Sequence, residues 1–168
     1  LSVGQLFRAH AGTVAKWAMR LGGADVDPEE VVQEVFVKAH RELPKFRGDA
    51  KVTTWLYRAT LNEVRARRRT ARFRKAVGKV LFQVDSSQVE HNNGESGLSA
   101  AQDKTLVWKA IEKLPERSRE VLVLFELEQR SGDEIAELTG VKVETVWVQL
   151  HRARKQLAEL ILELEGGQ

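Results

Sequence analysis

Thr53-Thr54-Trp55-Leu56-Tyr57-Arg58-Ala59-Thr60-Leu61-Asn62-Glu63-Val64-Arg65-Ala66-Arg67-Arg68-Arg69 is the stretch on which the reading of this chain turns. With a helical repeat, Trp55, Arg58, Asn62, Arg65 and Arg69 follow one another at steps of three and four. That spacing gathers a ring, an amide and three guanidinium groups into one stripe, while Leu56 and Ala59 fall on the inward side. Aromatic rings give bases a stacking surface and arginines give phosphates a partner. The stripe therefore reads as a nucleic-acid surface, the plainer alternative being a solvated helix face. Upstream, Phe46-Arg47-Gly48 reads as a loop, and Thr53 is placed to cap the helix. Downstream, no acid occurs between Val64 and Val84, whereas Arg65, Arg67, Arg68, Arg69, Arg72, Arg74, Lys75 and Lys79 all fall there.

The wider composition fits that reading. The chain has 168 residues, 42% apolar and 30% charged, which is the balance of a folded protein rather than a disordered one. Net charge is only +3, but its distribution is uneven. Residues 61–84 hold eight basic side chains against Glu63 alone, and residues 103–168 hold ten basic against thirteen acidic. One polyanion contact zone fits this better than general stickiness. Cysteine is absent, which removes disulfides, thiolate metal sites and thiol redox sensing. No apolar run approaches membrane-spanning length and no signal peptide is visible, so the cytoplasm is the expected compartment, with no membrane contact of the chain's own.

The N-terminal part reads as helices. Ser2 can cap the first, whose apolar face of Val3, Leu6, Phe7, Val14, Trp17 and Leu21 stops at Gly22-Gly23. Asp27-Pro28-Glu29-Glu30 combines a capping carboxylate, a first-turn proline and acids at the positive end of the helix dipole. Val31, Val32, Val35, Phe36 and Ala39 then bury one side until Leu43-Pro44. Residues 84–98 are polar, with little to bury, and read as a flexible linker able to span roughly 50 Å when extended. Beyond it, a helix to Leu114 and another after Pro115 precede Ser131-Gly132-Asp133-Glu134, which has the spacing of a capping box. A short helix, Thr139-Gly140-Val141, and a long amphipathic helix carrying Val146, Leu150, Ala153, Leu157, Leu160 and Leu164 complete a helix-turn-helix. The expected fold is all-α: two small helical domains, 1–83 and 99–168, joined by the linker.

Taken together these motifs resemble the extracytoplasmic-function (ECF) sigma factors of bacterial RNA polymerase. In the first half the resemblance rests on Asp27 to Phe36, Phe46-Arg47-Gly48 and Thr54-Trp55-Leu56-Tyr57-Arg58 with Asn62. In the second it rests on Leu114-Pro115, Arg119-Glu120-Val121, Glu134-Ile135-Ala136, and Thr145-Val146 with Leu150-His151-Arg152-Ala153-Arg154. It implies a sigma region 2-like bundle and a region 4-like helix-turn-helix. Glu30, Gln33 and Glu34 would then dock on the coiled coil of the polymerase's largest subunit, with the polymerase flap as a second contact. Phe46, Arg47, Lys51, Trp55, Tyr57, Arg58 and Asn62 would meet the −10 element, where flipping a base costs a few kcal/mol and aromatic stacking returns about 1–3 kcal/mol. Trp55 has core packing as its alternative. Arg65, Arg68 and Arg69 would hold phosphates. An anti-sigma factor is the implied regulator.

In the last helix the match to relatives weakens. Lys142 stands where a serine cap is usual, and Glu144, Trp147, Val148 and Gln149 replace the usual glycine and polar contact residues. Thr145, Val148, Gln149, Arg152, Arg154 and Lys155 are the expected −35 contacts, and Trp147 is expected either against a partner or a neighbouring helix, or on a base. The function implied is a non-catalytic specificity subunit that binds core polymerase and opens promoters. The competing reading is a sigma-like decoy that sequesters an anti-sigma factor without binding DNA. No phosphate-binding loop, metalloprotease pair or thiol supports an enzyme, and no cofactor or metal is expected.

Overall fold

A computed structural model of the chain describes residues 2–46, 51–82 and 100–167, with side chains to residue 79 in the second stretch and from 103 in the third. Regular structure among them is helical throughout. The first domain holds α1 (Val3–Gly22), α2 (Pro28–Glu42) and α3 (Val52–Phe82), with 3-10 turns at Gly23–Asp25 and Leu43–Lys45. Ser2 and Gln5 form a reciprocal capping box on α1, and the Asp27 carboxylate accepts from the Glu29 amide ahead of Pro28. α3 starts one residue before the expected Thr53 cap, with the Trp55 amide donating to the Lys51 carbonyl at 3.2 Å. Residues 84–98, read as the linker, lie outside the described residues, as does Arg47.

The three helices close on Leu6, Val14, Trp17, Leu21, Val31, Val35, Phe36, Leu56, Leu61 and Val64, each worth about 1.5–3 kcal/mol when fully buried. Tyr57 belongs to this core. Its ring is 0% exposed and stands edge-on to Trp17, centroids 5.2 Å apart, and burial pushes its hydroxyl pKa far up. Tyr57 is thus withdrawn from the surface where the sequence placed it. The reason is helical phase: Tyr57 follows Leu56 and precedes Thr60, Leu61 and Val64 on the side of α3 that α1 covers.

The second domain holds α4 (Ala100–Lys113), α5 (Glu116–Leu122), which runs on into a π turn at Val123–Leu127, α6 (Gly132–Thr139) and α7 (Val143–Gly166). The Ser131–Glu134 capping box opens α6, and Gly140 ends it at φ +75°, a conformation only glycine adopts without strain. α7 starts at Lys142 without a side-chain cap. Trp147 lies one turn in. It sits edge-on to Phe125 with centroids 5.7 Å apart, and a Cβ on Gly132 would fall 2.6 Å from Cζ2 of Trp147. The tryptophan therefore closes the gap between α7 and the start of α6, as one of its two expected roles required.

An exchange of arginines joins the domains. Arg68 on α3 donates from Nη1 to the Gly22 carbonyl at 2.6 Å and from Nη2 to the Glu112 carbonyl at 3.0 Å. Arg119 on α5 donates from Nε to the Leu21 carbonyl at 3.0 Å and from Nη1 to the Leu114 carbonyl at 2.9 Å. These four carbonyls lie at the C-terminal ends of α1 and α4, where backbone acceptors lack helical partners and the dipole is negative. Each guanidinium therefore bridges one helix end from each domain. Around them the Glu112 carboxylate accepts from the Ala24 amide at 2.8 Å, and Arg20 pairs with Glu128.

Two measurements check this packing. The Tyr57 hydroxyl is buried with no partner among the described residues, a state that costs about 1–3 kcal/mol. Tyr57→Phe is expected to leave the thermal midpoint unchanged or raised; a clear fall would show that the hydroxyl is bonded. For the Trp147 socket, Gly132→Ala is expected to destabilise by about 1–3 kcal/mol through overpacking. Combined with Trp147→Ala the two losses should not add, because the second change empties the space that the first fills. Strict additivity in denaturant titrations would contradict the contact.

Candidate nucleic-acid interface

The N-terminal turn of α3 borders a concavity of about 370 Å³ lined by Leu6, Ala39, Leu43, Phe46, Val52 and Trp55, with Glu42 and Lys45 at its edge. Phe46 and Trp55 are both half-buried. Trp55 also packs on the core cluster, as its alternative role expected, and the same side chain lines the hollow. The hollow can take a flat ring beside two aromatic groups. Residues 47–50 are outside the described residues.

Along α3 the polar stripe separates into free and engaged members. Asn62 and Arg69 are exposed. Arg58 donates from Nη2 to the Glu137 carbonyl at 2.9 Å and from Nε to the Leu138 carbonyl at 3.4 Å. Lys51 lies 3.8 Å from the Glu137 carboxylate. Arg65 grips Glu120 with two hydrogen bonds, Nε to Oε1 at 3.0 Å and Nη2 to Oε2 at 2.9 Å. Arg68, expected to hold a phosphate, is 8% exposed and committed to backbone carbonyls. In this arrangement it is a structural cation and cannot reach a phosphate. Burial, then the charge of Arg72, lowers its pKa. Burial likewise lowers that of Arg119 to about 10, with the Arg68 charge as the next cause, so Arg119 stays protonated at neutral pH.

Glu30, Gln33 and Glu34 lie on α2 away from its buried face of Val31, Val32, Val35, Phe36 and Ala39. Glu30 and Gln33 are exposed and Glu34 half-buried. Arg67, a residue the sequence reading left without a role, pairs with Glu30 and donates to Glu63 at 2.9 Å, and Lys38 reaches Glu63 at 3.3 Å. Such surface pairs are worth about 0–1 kcal/mol, so they orient the acids without withdrawing them from a basic partner.

On α7, Thr145, Val148, Arg152 and Lys155 are exposed and Gln149 is half-buried. Arg154 differs from these. Its Nε and Nη2 donate to Glu126 Oε1 at 2.8 and 2.6 Å, and its guanidinium lies 5.3 Å from the Phe125 ring centroid. Trp147, Phe125 and Arg154 thus form one column along the helix. Sequence reasoning missed Glu116, Glu120 and Glu137 as partners of α3. The available signal was Arg119-Glu120 running straight into the apolar Val121–Phe125, which points to two buried charges that need partners from elsewhere in the chain.

Both domains match known proteins. Residues 6–74 match the family model for Sigma-70 region 2, and residues 104–157 that for Sigma-70, region 4. The chain is 34% identical over 137 residues to the ECF RNA polymerase sigma-E factor of Escherichia coli strain K12, covering 78% of this chain and 72% of that one. It is 31% identical over 145 residues to the sigma-E factor of Haemophilus influenzae, covering 82% and 76%. Among solved structures it is similar to CnrH, solved in complex with the cytosolic domain of CnrY, at 30% identity and TM-score 0.66, covering 95% of this chain and 86% of that one. It shares the fold of the sigma factor RpoE of Bartonella quintana, solved with the anti-sigma factor NepR, at 23% identity and TM-score 0.67, covering 94% and 95%. With both sigma regions present in order and sigma-E factors matched over most of its length, the chain belongs to the extracytoplasmic-function family of RNA polymerase sigma factors.

Proposed function

We propose that this alternative sigma factor divides promoter recognition and polymerase binding among three faces. The polar face of α2, through Glu30, Gln33 and Glu34, docks on a basic surface of core polymerase, where exposed carboxylates and an amide supply charge-assisted acceptors. The hollow beside Phe46 and Trp55 receives a base of the melted −10 element, with Asn62 positioning the strand and Lys51, Arg58, Arg65 and Arg69 supplying phosphate contacts. α7 enters the major groove at the −35 element, with Gln149 able to pair an adenine edge, Val148 to meet a thymine methyl, and Thr145, Arg152 and Lys155 to hold the backbone. The protein does no bond chemistry; the polymerase does.

The observation that supports this reading most directly is the sharing of α3. An aromatic-lined hollow lies at its start, and exposed Asn62 and Arg69 continue along the same helix toward a basic end. A decoy for an anti-sigma factor has no use for that arrangement. An anti-sigma factor remains the expected regulator, since a relative in fold has been solved bound to one.

Two variants test the assignment in transcription with purified core enzyme. Asn62→Ala removes one amide contact, worth about 1–3 kcal/mol of base discrimination. Promoter opening should fall roughly tenfold while recovery with core polymerase is unchanged; equal opening would remove Asn62 from the site. Gln33→Ala with Glu34→Ala should weaken assembly with core in co-purification while leaving the free energy of unfolding within about 0.5 kcal/mol, as for ordinary surface changes. Undiminished recovery would rule out the α2 face.

A further inference from the structure

We propose that Glu144 reads a cytosine of the −35 element, so that an acid rather than a cation decides one base of the promoter. The inference rests on the placement of α7 in the major groove given above and adds to it a residue that selects among bases. The faces of α7 are sharply divided. Val146, Leu150 and Ala153 are buried against the rest of the domain. With about 3.6 residues per turn, the direction opposite to them is taken by Glu144, Val148, His151 and Lys155, at steps of four, three and four. All four are exposed. Glu144 thus stands in line with Val148, one turn closer to the start of the helix. It has no hydrogen-bond or ion-pair partner among the described residues.

A recognition helix meets base edges with its N-terminal residues, which leaves the exposed Arg152 and Lys155, further along, for phosphates. A carboxylate only accepts hydrogen bonds. Brought into the groove it is repelled by phosphates, by guanine N7 and O6 and by thymine O4. Adenine offers its N6 donor beside the N7 acceptor, whereas cytosine presents the N4 amino group alone, and that is the edge a glutamate fits. The acid therefore acts in two directions. On cytosine it gains a charge-assisted hydrogen bond; on the other bases it adds repulsion, which sharpens specificity as much as attraction does. A first-turn acid also favours the helix dipole, and α7 has no side-chain cap. That contribution is blind to the DNA sequence, so base selection separates the two roles.

Promoter selection by the full-length chain with core polymerase tests the assignment, on a library randomised across the −35 element upstream of a fixed −10 element. The parent is compared with Glu144→Ala, Glu144→Gln and Val148→Ala. The control is Glu165→Ala, which removes the same charge about 30 Å further along the helix. The parent should favour cytosine at one position by about five- to a hundredfold, the range for one good base contact. Glu144→Ala should flatten that position alone and bind sites lacking the cytosine more tightly than the parent does. Glu144→Gln should move the preference to adenine, whose N6 and N7 suit an amide, and Glu165→Ala should select like the parent. A lowered thermal midpoint in both Glu144 variants with base preference intact shows the dipole role alone and overturns the inference, as does a parent without a cytosine preference. If Val148→Ala changes selection at its own position while the Glu144 variants select like the parent, only the cytosine contact falls. If chains that transcribe from the fixed −10 element show no −35 preference at all, the placement of α7 falls and this inference with it.

Discussion

The closed arrangement depends on two buried guanidinium groups, Arg68 and Arg119, each shared between the ends of α1 and α4. Taking such groups out of water is costly, and the cost is recovered only when several acceptors of good geometry meet them. Four carbonyls at two helix ends satisfy that demand, because helix C-termini supply unpaired acceptors together with a favourable dipole. Gly23, at φ +65°, is part of the same junction: a Cβ there would meet the Glu112 side chain at 2.6 Å. The junction is thus specified by position rather than by general attraction between an acidic and a basic surface.

From this junction α3 acquires three duties on one rod. Leu56, Tyr57, Leu61 and Val64 hold the first bundle together. Arg58, Arg65, Arg68 and Arg72 meet the second domain. Trp55 lines the hollow, and Asn62 and Arg69 remain at the surface further along the helix. A helix of 31 residues has room for all three because its faces turn with the repeat. Helix α7 shows a smaller version of the same economy. Its first turn lacks a capping side chain, and Trp147 against Gly132 and Phe125 anchors it instead, leaving Thr145, Val148 and Arg152 outward.

Much of this was legible in the sequence. Asp27-Pro28, the Ser131–Glu134 capping box and Gly140 mark helix ends by local chemistry that acts within four residues, and all three stand where expected. The two domains and their family were equally readable, since ordered motifs cover both halves. What stayed hidden depends on contacts between distant residues. Periodicity puts Arg58, Arg65 and Arg68 on a helix surface, but nothing local says that α5 and α6 will cover it. Tyr57 was misplaced for a related reason: a phenol fits a core or a stacking site equally well, and only the packing of Trp17 decides. The hollow beside Trp55 likewise needs Leu6 from α1 and Ala39 from α2.

Site-specific photo-crosslinking tests the central claim most directly. With a photoreactive side chain at exposed Thr53 or Arg69, and core polymerase and promoter DNA present, the account predicts adducts to the non-template strand in the −10 region. The same probe at Val148 on α7 should mark the −35 duplex. Adducts from α3 only to protein, in the presence of a promoter complex active in transcription, would contradict it.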